Sequence, residues 1–184
     1  MDPHVYFCRH LRVLDLTEDY FHEEETDVVD WISKFPECNT SMESLVFDCV
    51  SVPFNFQALE ALVSRSPALR RLRVNDHVSI EQLSHLMARA PHLTHLGTGS
   101  FRAEPGSGGG ALSVSELATS FAASRSLVCL SGFLDVNAEY LPVIYPVCAN
   151  LTSLNFSFSS LTSEELIPVI CHCVNLRVFW VSIL

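Results

Sequence analysis

Positive charge is scarce in this sequence: 11 lysines and arginines stand against 21 aspartates and glutamates, a formal net charge of −10. A phosphate backbone is repelled by that average field, so general nucleic-acid binding is not expected. Long apolar runs are missing too. None reaches the ~18 residues that a membrane-spanning helix needs, so no membrane role is expected. Residues 1–13 lack a basic segment followed by an apolar block, which argues against a secretory signal and for an intracellular protein. Charged residues of both signs make up only 17% of the chain and hydrophobic ones 48%, the opposite of the signature of disorder. The cysteine count, seven, is odd. Cys8, Cys49, Cys129 and Cys148 sit among apolar neighbours and read as buried free thiols of a reducing compartment, not as a disulfide framework. The acidity gathers at Glu23, Glu24, Glu25, Asp27 and Asp30, which reads as a solvated loop and helix start.

The sequence does contain a repeat, the feature to be sought before any other. An apolar residue, two variable ones, an apolar, one variable and an apolar recur along the chain. The pattern runs through Leu11, Leu14 and Leu16; Met42, Leu45 and Phe47; Leu69, Leu72 and Val74. It continues in shortened form at Leu93 with Leu96 and at Leu127 with Leu130, and closes at Leu151, Leu154 and Phe156 and at Leu176, Phe179 and Val181. The last two apolar positions are two apart, so in a strand they share one face. Helical spacing follows in the intervening segments, with Leu59, Leu62 and Val63 in residues 56–66 and Ile80, Leu83, Leu86 and Met87 in residues 80–90. Ser79 with Gln82, Ser113 with Glu116 and Thr162 with Glu165 predict capping boxes, and Pro67 and Pro91 end two of the helices. Two longer steps hold insertions, one the acidic stretch near Glu23 and the other the glycine-rich residues 104–110. One unit cannot bury its own apolar face, so neighbours must stack. The expected fold is an α/β leucine-rich-repeat solenoid of about seven repeats spanning residues 1–184. Its curved parallel sheet lines the concave side and its helices the convex side.

The residue between the last two apolar positions of each unit is expected on the concave face: Asp15, Val46, Arg73, Gly97, Ser131, Asn155 and Trp180. This row is a candidate protein-binding surface, since solenoids bind partners there, and it is equally well a solvated sheet face. Arg70, Arg71 and Arg73 form a basic cluster that suits an anion or a partner carboxylate, or simply a strand edge with solvated arginines. Chemistry beyond binding is thinly represented. Cys171-His172-Cys173 has one residue between its cysteines where zinc pairs use two to four, and it reads as a helix end with Cys171 packed inward. His92 and His95 could form a ligand set with His85, but they occupy variable motif positions expected to face solvent or a turn, so a surface histidine pair is the expectation. No GxSxG, HExxH or Walker-type loop occurs, and Gly106–Gly110 lacks the Lys-Ser/Thr ending of a phosphate loop. Gly97-Thr98-Gly99 reads as a strand end where backbones approach closely. Neither a catalytic nor a metal nor a cofactor site is expected, and the chain is not expected to be an enzyme.

Several strings go beyond a generic repeat: residues 8–16 (CRHLRVLDL), 54–75, 86–101 with LGTG, 129–161 beginning CLSGF, and 170–181. On these residues the chain resembles the plant auxin-receptor F-box proteins, the transport-inhibitor-response and auxin-signalling F-box group, over essentially its whole length. The jasmonate-receptor F-box group is a weaker match. The resemblance implies the substrate-recognition subunit of a cullin-type (SCF-type) ubiquitin ligase, a nuclear protein in auxin signalling. In that family auxin and inositol hexakisphosphate sit in the horseshoe and Aux/IAA repressors are captured for ubiquitin-dependent degradation. The match covers early-middle repeats only and includes no F-box segment, so ligase-adaptor binding is not expected of this chain. No residue here corresponds to the family's hormone or inositol-phosphate contacts, and the inositol-phosphate role is not carried to Arg70, Arg71 or Arg73. The chain by itself is therefore expected not to bind auxin. The alternative reading is a leucine-rich-repeat interaction module with no ligase or hormone role.

Overall fold

The structure, a computed structural model, describes residues 8–16, 30–50, 53–103, 112–157 and 159–182. Both insertions, near Glu23 and at residues 104–110, lie outside the described residues. The strands β1 (Val13–Asp15), β2 (Ser44–Val46), β3 (Arg71–Val74), β4 (His95–Thr98), β5 (Cys129–Ser131), β6 (Ser153–Phe156) and β7 (Val178–Val181) form one sheet in sequence order. All neighbours pair in parallel. The helices are α1 (Phe56–Ser64), α2 (Ile80–Arg89), α3 (Val114–Ala123), the single turn α4 (Tyr145–Cys148) and α5 (Ser163–His172). Successive helices pack on one another behind the sheet. The chain is thus an α/β leucine-rich-repeat solenoid, in which each of the seven leucine motifs supplies one strand.

Register explains why the motif spacing matters. The middle apolar residues Leu14, Leu45, Leu72, Leu96, Leu130, Leu154 and Phe179 are aligned strand to strand. Leu45, Leu72, Leu96, Leu130 and Leu154 are fully buried. The same backbone device closes every step. The carbonyl of the second motif residue accepts two amides from the next unit: Arg12 O from Glu43 and Ser44, Glu43 O from Arg70 and Arg71, Arg70 O from Thr94 and His95. Thr94 O, Val128 O and Thr152 O repeat this towards Cys129, Ser153 and Val178, all at 2.7–3.1 Å. A slip of one residue would turn every leucine to the other face, so hydrophobic burial and hydrogen bonding fix the same register.

The fourth and fifth units lack the third apolar residue of the motif, placing Thr98 and Gly132 there. Aromatics from the following turns fill the space. Phe101, Phe121, Phe133 and Phe156 are fully buried. Ring centroids are 5.2 Å apart for Phe101–Phe133 and 4.2 Å for Phe133–Phe156. The buried Thr98 hydroxyl accepts the Phe133 amide at 2.7 Å, so neither of these two groups is left stranded. To bring Phe133 inward the chain passes through left-handed backbone at Gly132 (φ 85°), Phe133 (φ 55°) and Asp135 (φ 51°). The LGTG and CLSGF strings are the sequence form of this aromatic substitution.

All three capping boxes form, with the Ser79, Ser113 and Thr162 side chains accepting from the backbone of Gln82, Glu116 and Glu165. The Ser113 and Thr162 hydrogen bonds hold the Glu116 and Glu165 carboxyls below the usual range. Ser79 is buried at the start of α2, so Ser79→Ala should lower stability by about 1 kcal/mol in chemical denaturation. An unchanged midpoint would show that this cap is idle.

Three cysteine side chains are placed differently from expectation. Cys171 is exposed and Cys173 is buried, because the buried side of α5 runs through Leu166 and Val169 to the helix end. The Cys148 thiol donates a hydrogen bond to Cys173, which together with burial pushes the Cys148 pKa up. Cys49 is exposed and Cys129 half-buried, so of the four cysteines read as core thiols only Cys148 is buried among the described side chains. Cys129 lies beside the central Leu130 and therefore on the opposite, concave face. No described helix is long and apolar enough to cross a membrane.

Candidate functional site

Each strand has three central residues, and period-two alternation sends both neighbours of the buried leucine to the concave face. One row is the set expected from the sequence. Asp15, Val46, Arg73, Gly97 and Ser131 are aligned through β1–β5, and Asn155 pairs with Trp180. Asp15 is exposed, Arg73 and Asn155 are half-buried, and Ser131 is buried. Trp180 is 50% exposed, whereas Val46 is only 4% exposed and offers little to a partner.

A second row, missed by taking only the residue between the last two apolar positions, runs through Val13, Ser44, Arg71, His95, Cys129, Ser153 and Val178. The signal was present in the sequence, since the residue before the central leucine must share a face with the residue after it. His95 is accordingly on the concave sheet and half-buried, while His92 and His85 are exposed.

The two rows converge at β3 and β4. Arg71 is exposed, its guanidinium has no hydrogen-bond or ion-pair partner among the described residues, and the residue pairs directly across the ladder with His95. Arg73 forms an ion pair with Asp48, yet its Nε is buried without a partner. Its stem lies over Gly97, where a Cβ would come within 2.8 Å of Arg73 Cβ, so the glycine makes room for the arginine. Arg70 points along the rim, with Nη1 3.3 Å from the Leu69 carbonyl. Glu43, the nearest acid in the first groove, is held by Arg12 at 2.8 Å. Two open grooves result. One of about 660 Å³ is lined by Val13, Glu43, Ser44, Arg70, Arg71, Thr94 and His95 among others. The other, of about 360 Å³, runs from Arg71, Arg73 and His95 past Ser131, Ser153 and Asn155 to Trp180.

Burial, and secondarily the Arg71 guanidinium, hold the His95 pKa below its ordinary value of 6.5. The folded state therefore binds this proton less readily than the unfolded chain. The associated stability is complete above 6.5 and is lost as pH falls through the folded-state value. Arg71→Ala should raise the His95 pKa without restoring 6.5, because desolvation, the larger cause, remains. An imidazole NMR titration reads this directly, and an unmoved curve would place Arg71 away from His95.

The concave face is thus a parallel sheet presenting two rows of side chains in open grooves. Among the described residues no group of three or more histidine, cysteine, aspartate or glutamate side chains is placed to hold a metal. No family model matches the chain. It is 53% identical over 173 residues to the F-box protein FBX14 of Arabidopsis thaliana, covering 94% of this chain and 27% of that protein. It is 42% identical to the GRR1-like protein 1 of Arabidopsis thaliana, covering 95% of this chain and 28% of that one. It is 41% identical to the Transport inhibitor response 1-like protein Os05g0150500 of Oryza sativa subsp. japonica, over the same two shares, 95% and 28%. Among solved structures, the tropomodulin C-terminal domain from Caenorhabditis elegans superposes with a TM-score of 0.47 at 15% identity, covering 82% of this chain and 93% of that one.

Over most of its length the chain is thus a homologue of the F-box and transport-inhibitor-response-1-like proteins, as its motifs suggested. It spans a little over a quarter of the length of these relatives.

Proposed function

We propose that this chain supplies leucine-rich repeats to an auxin-receptor-like substrate-recognition subunit of an SCF-type ubiquitin ligase, acting in the nucleus to recruit Aux/IAA repressors for degradation. The observation that carries this reading is the 53% identity to an F-box protein across 94% of the chain. A transport-inhibitor-response-1-like protein at 41% identity points the same way. In this reading the chain binds and does not catalyse, ubiquitin transfer belonging to other subunits. Auxin and inositol hexakisphosphate are contacts of the whole receptor, and no residue of this chain is assigned to them.

Co-immunoprecipitation from plant cells expressing the tagged chain, blotted for an Aux/IAA repressor and for the ligase adaptor with and without auxin, tests the proposal. Recovery of the repressor supports it. Absence of both proteins under all conditions favours the second reading, a repeat module that binds other partners. That reading has its own support in the open grooves of the concave face, which need neither ligase nor hormone to engage a protein.

A further inference from the structure

Arg71 and His95 face each other across the β3–β4 ladder. Basic groups directly opposite on one sheet face repel when both are charged. Arg73 adds a second guanidinium two residues on, with an orphaned Nε. Yet the strands from β3 to β7 carry no carboxylate in either concave row, in a chain whose net charge is −10. The nearby acids are already engaged, Glu43 with Arg12 and Asp48 with Arg73. At the far end of the same groove Trp180 is half-exposed, an apolar and planar side chain. Between the two ends the lining is neutral and hydrogen-bonding, with Ser131, Ser153 and Asn155.

We infer that the concave groove from Arg71 to Trp180 is a docking surface for an acidic, extended segment of a partner protein. Carboxylates lie against Arg71 and His95, and an apolar side chain packs on Trp180. The span sets the segment's length. Neighbouring strands lie ~4.8 Å apart, so the four steps from β3 to β7 cover roughly 19 Å, which an extended peptide crosses in about six residues. Such a peptide runs across the strands, whose backbone groups are already paired, so side chains must carry recognition. Arg71 fixes one end by charge-assisted hydrogen bonds and Trp180 the other by apolar contact, the two kinds of group that dominate interface energetics. A long nucleic-acid polyanion does not suit the same surface, because the chain as a whole is acidic. The inference stands on the concave rows alone and does not depend on the ligase reading.

The test is fluorescence anisotropy of the intact chain with a labelled decapeptide carrying Asp-Glu at one end, a leucine about six residues on and Ser/Gly between. A second peptide with Asn-Gln in place of Asp-Glu is the control. Saturable binding is expected for the acidic peptide, weakening with added salt. Arg71→Glu and Trp180→Ala should each weaken it by about tenfold or more, with far-ultraviolet circular dichroism unchanged because both side chains are exposed. Equal binding of the neutral peptide would overturn the proposal, as would binding that ignores Arg71→Glu. No saturation up to about 1 mM peptide, an affinity of only about 4 kcal/mol, would also overturn it. Displacement of a bound reporter by inorganic phosphate, without any peptide binding, would show an anion site and no peptide surface. Co-immunoprecipitation of the ligase components is a separate readout, so either idea can fail while the other stands.

Discussion

Leu96→Ala should lower the stability of the chain by about 2–5 kcal/mol. Leu96 is fully buried in the fourth of seven strands, with Leu72 aligned on one side and Leu130 on the other. Truncation removes apolar contact with both neighbours and leaves a cavity that the paired strands cannot close without moving the backbone. In a solenoid each unit leans only on those beside it, so weakening a central unit breaks two interfaces at once. The same change at Leu14, in the first strand and only half-buried, should cost clearly less. Urea denaturation of the two variants reads the contrast. Equal losses, or a loss below about 1 kcal/mol at Leu96, would be inconsistent with a stack built on that row.

Gly99→Val should be comparably damaging for a different reason. Gly99 has φ 60°, in the left-handed region where a residue with a Cβ is strained by roughly 1–2 kcal/mol. A Cβ there would also lie 2.5 Å from the Asn75 carbonyl oxygen and 3.0 Å from Val74 Cγ2, backbone and core atoms that cannot swing aside. The residue begins the turn that delivers Phe101 to the aromatic cluster, and its carbonyl accepts the Leu134 amide at 3.0 Å. The expected result is a loss of at least about 3 kcal/mol, or failure to fold. Gly99→Ala, lacking the β-branch, should keep the strain and the carbonyl clash and lose somewhat less, giving a measurable midpoint if valine does not. Two variants as stable as the parent would mean that the turn does not approach β3 as closely as described.

The parts of the fold governed by spacing were legible in the sequence. Apolar residues three apart, followed in five of the seven units by another two further on, place the strands, and Ser79, Ser113 and Thr162 each three residues before Gln or Glu start three of the helices. Both signals depend on local geometry that the chain order itself specifies. The aromatic substitution was not legible. Phe101 and Phe133 fall outside the leucine pattern, and only the stacked structure shows that the space left by Thr98 and Gly132 lies within their reach. Cys171 and Cys173 differ by about 200° around a helix, so one residue's uncertainty in the helix end exchanges inside for outside. On the concave face the sequence yielded Arg73, Ser131, Asn155 and Trp180 but not the companion row with Arg71 and His95. That omission came from reading one flank of the central leucine when strand alternation requires both. Val46 met the pattern and is nevertheless buried, since alternation assigns a face and says nothing of what covers it.

The central claim is a parallel, in-register ladder of leucine motifs, and backbone nuclear Overhauser contacts in isotope-labelled protein test it most directly. The account predicts parallel-sheet contacts linking residues 71–73, 95–97 and 129–131, with Leu72, Leu96 and Leu130 side by side. Antiparallel cross-strand patterns, or the absence of contacts between these three segments, would contradict it.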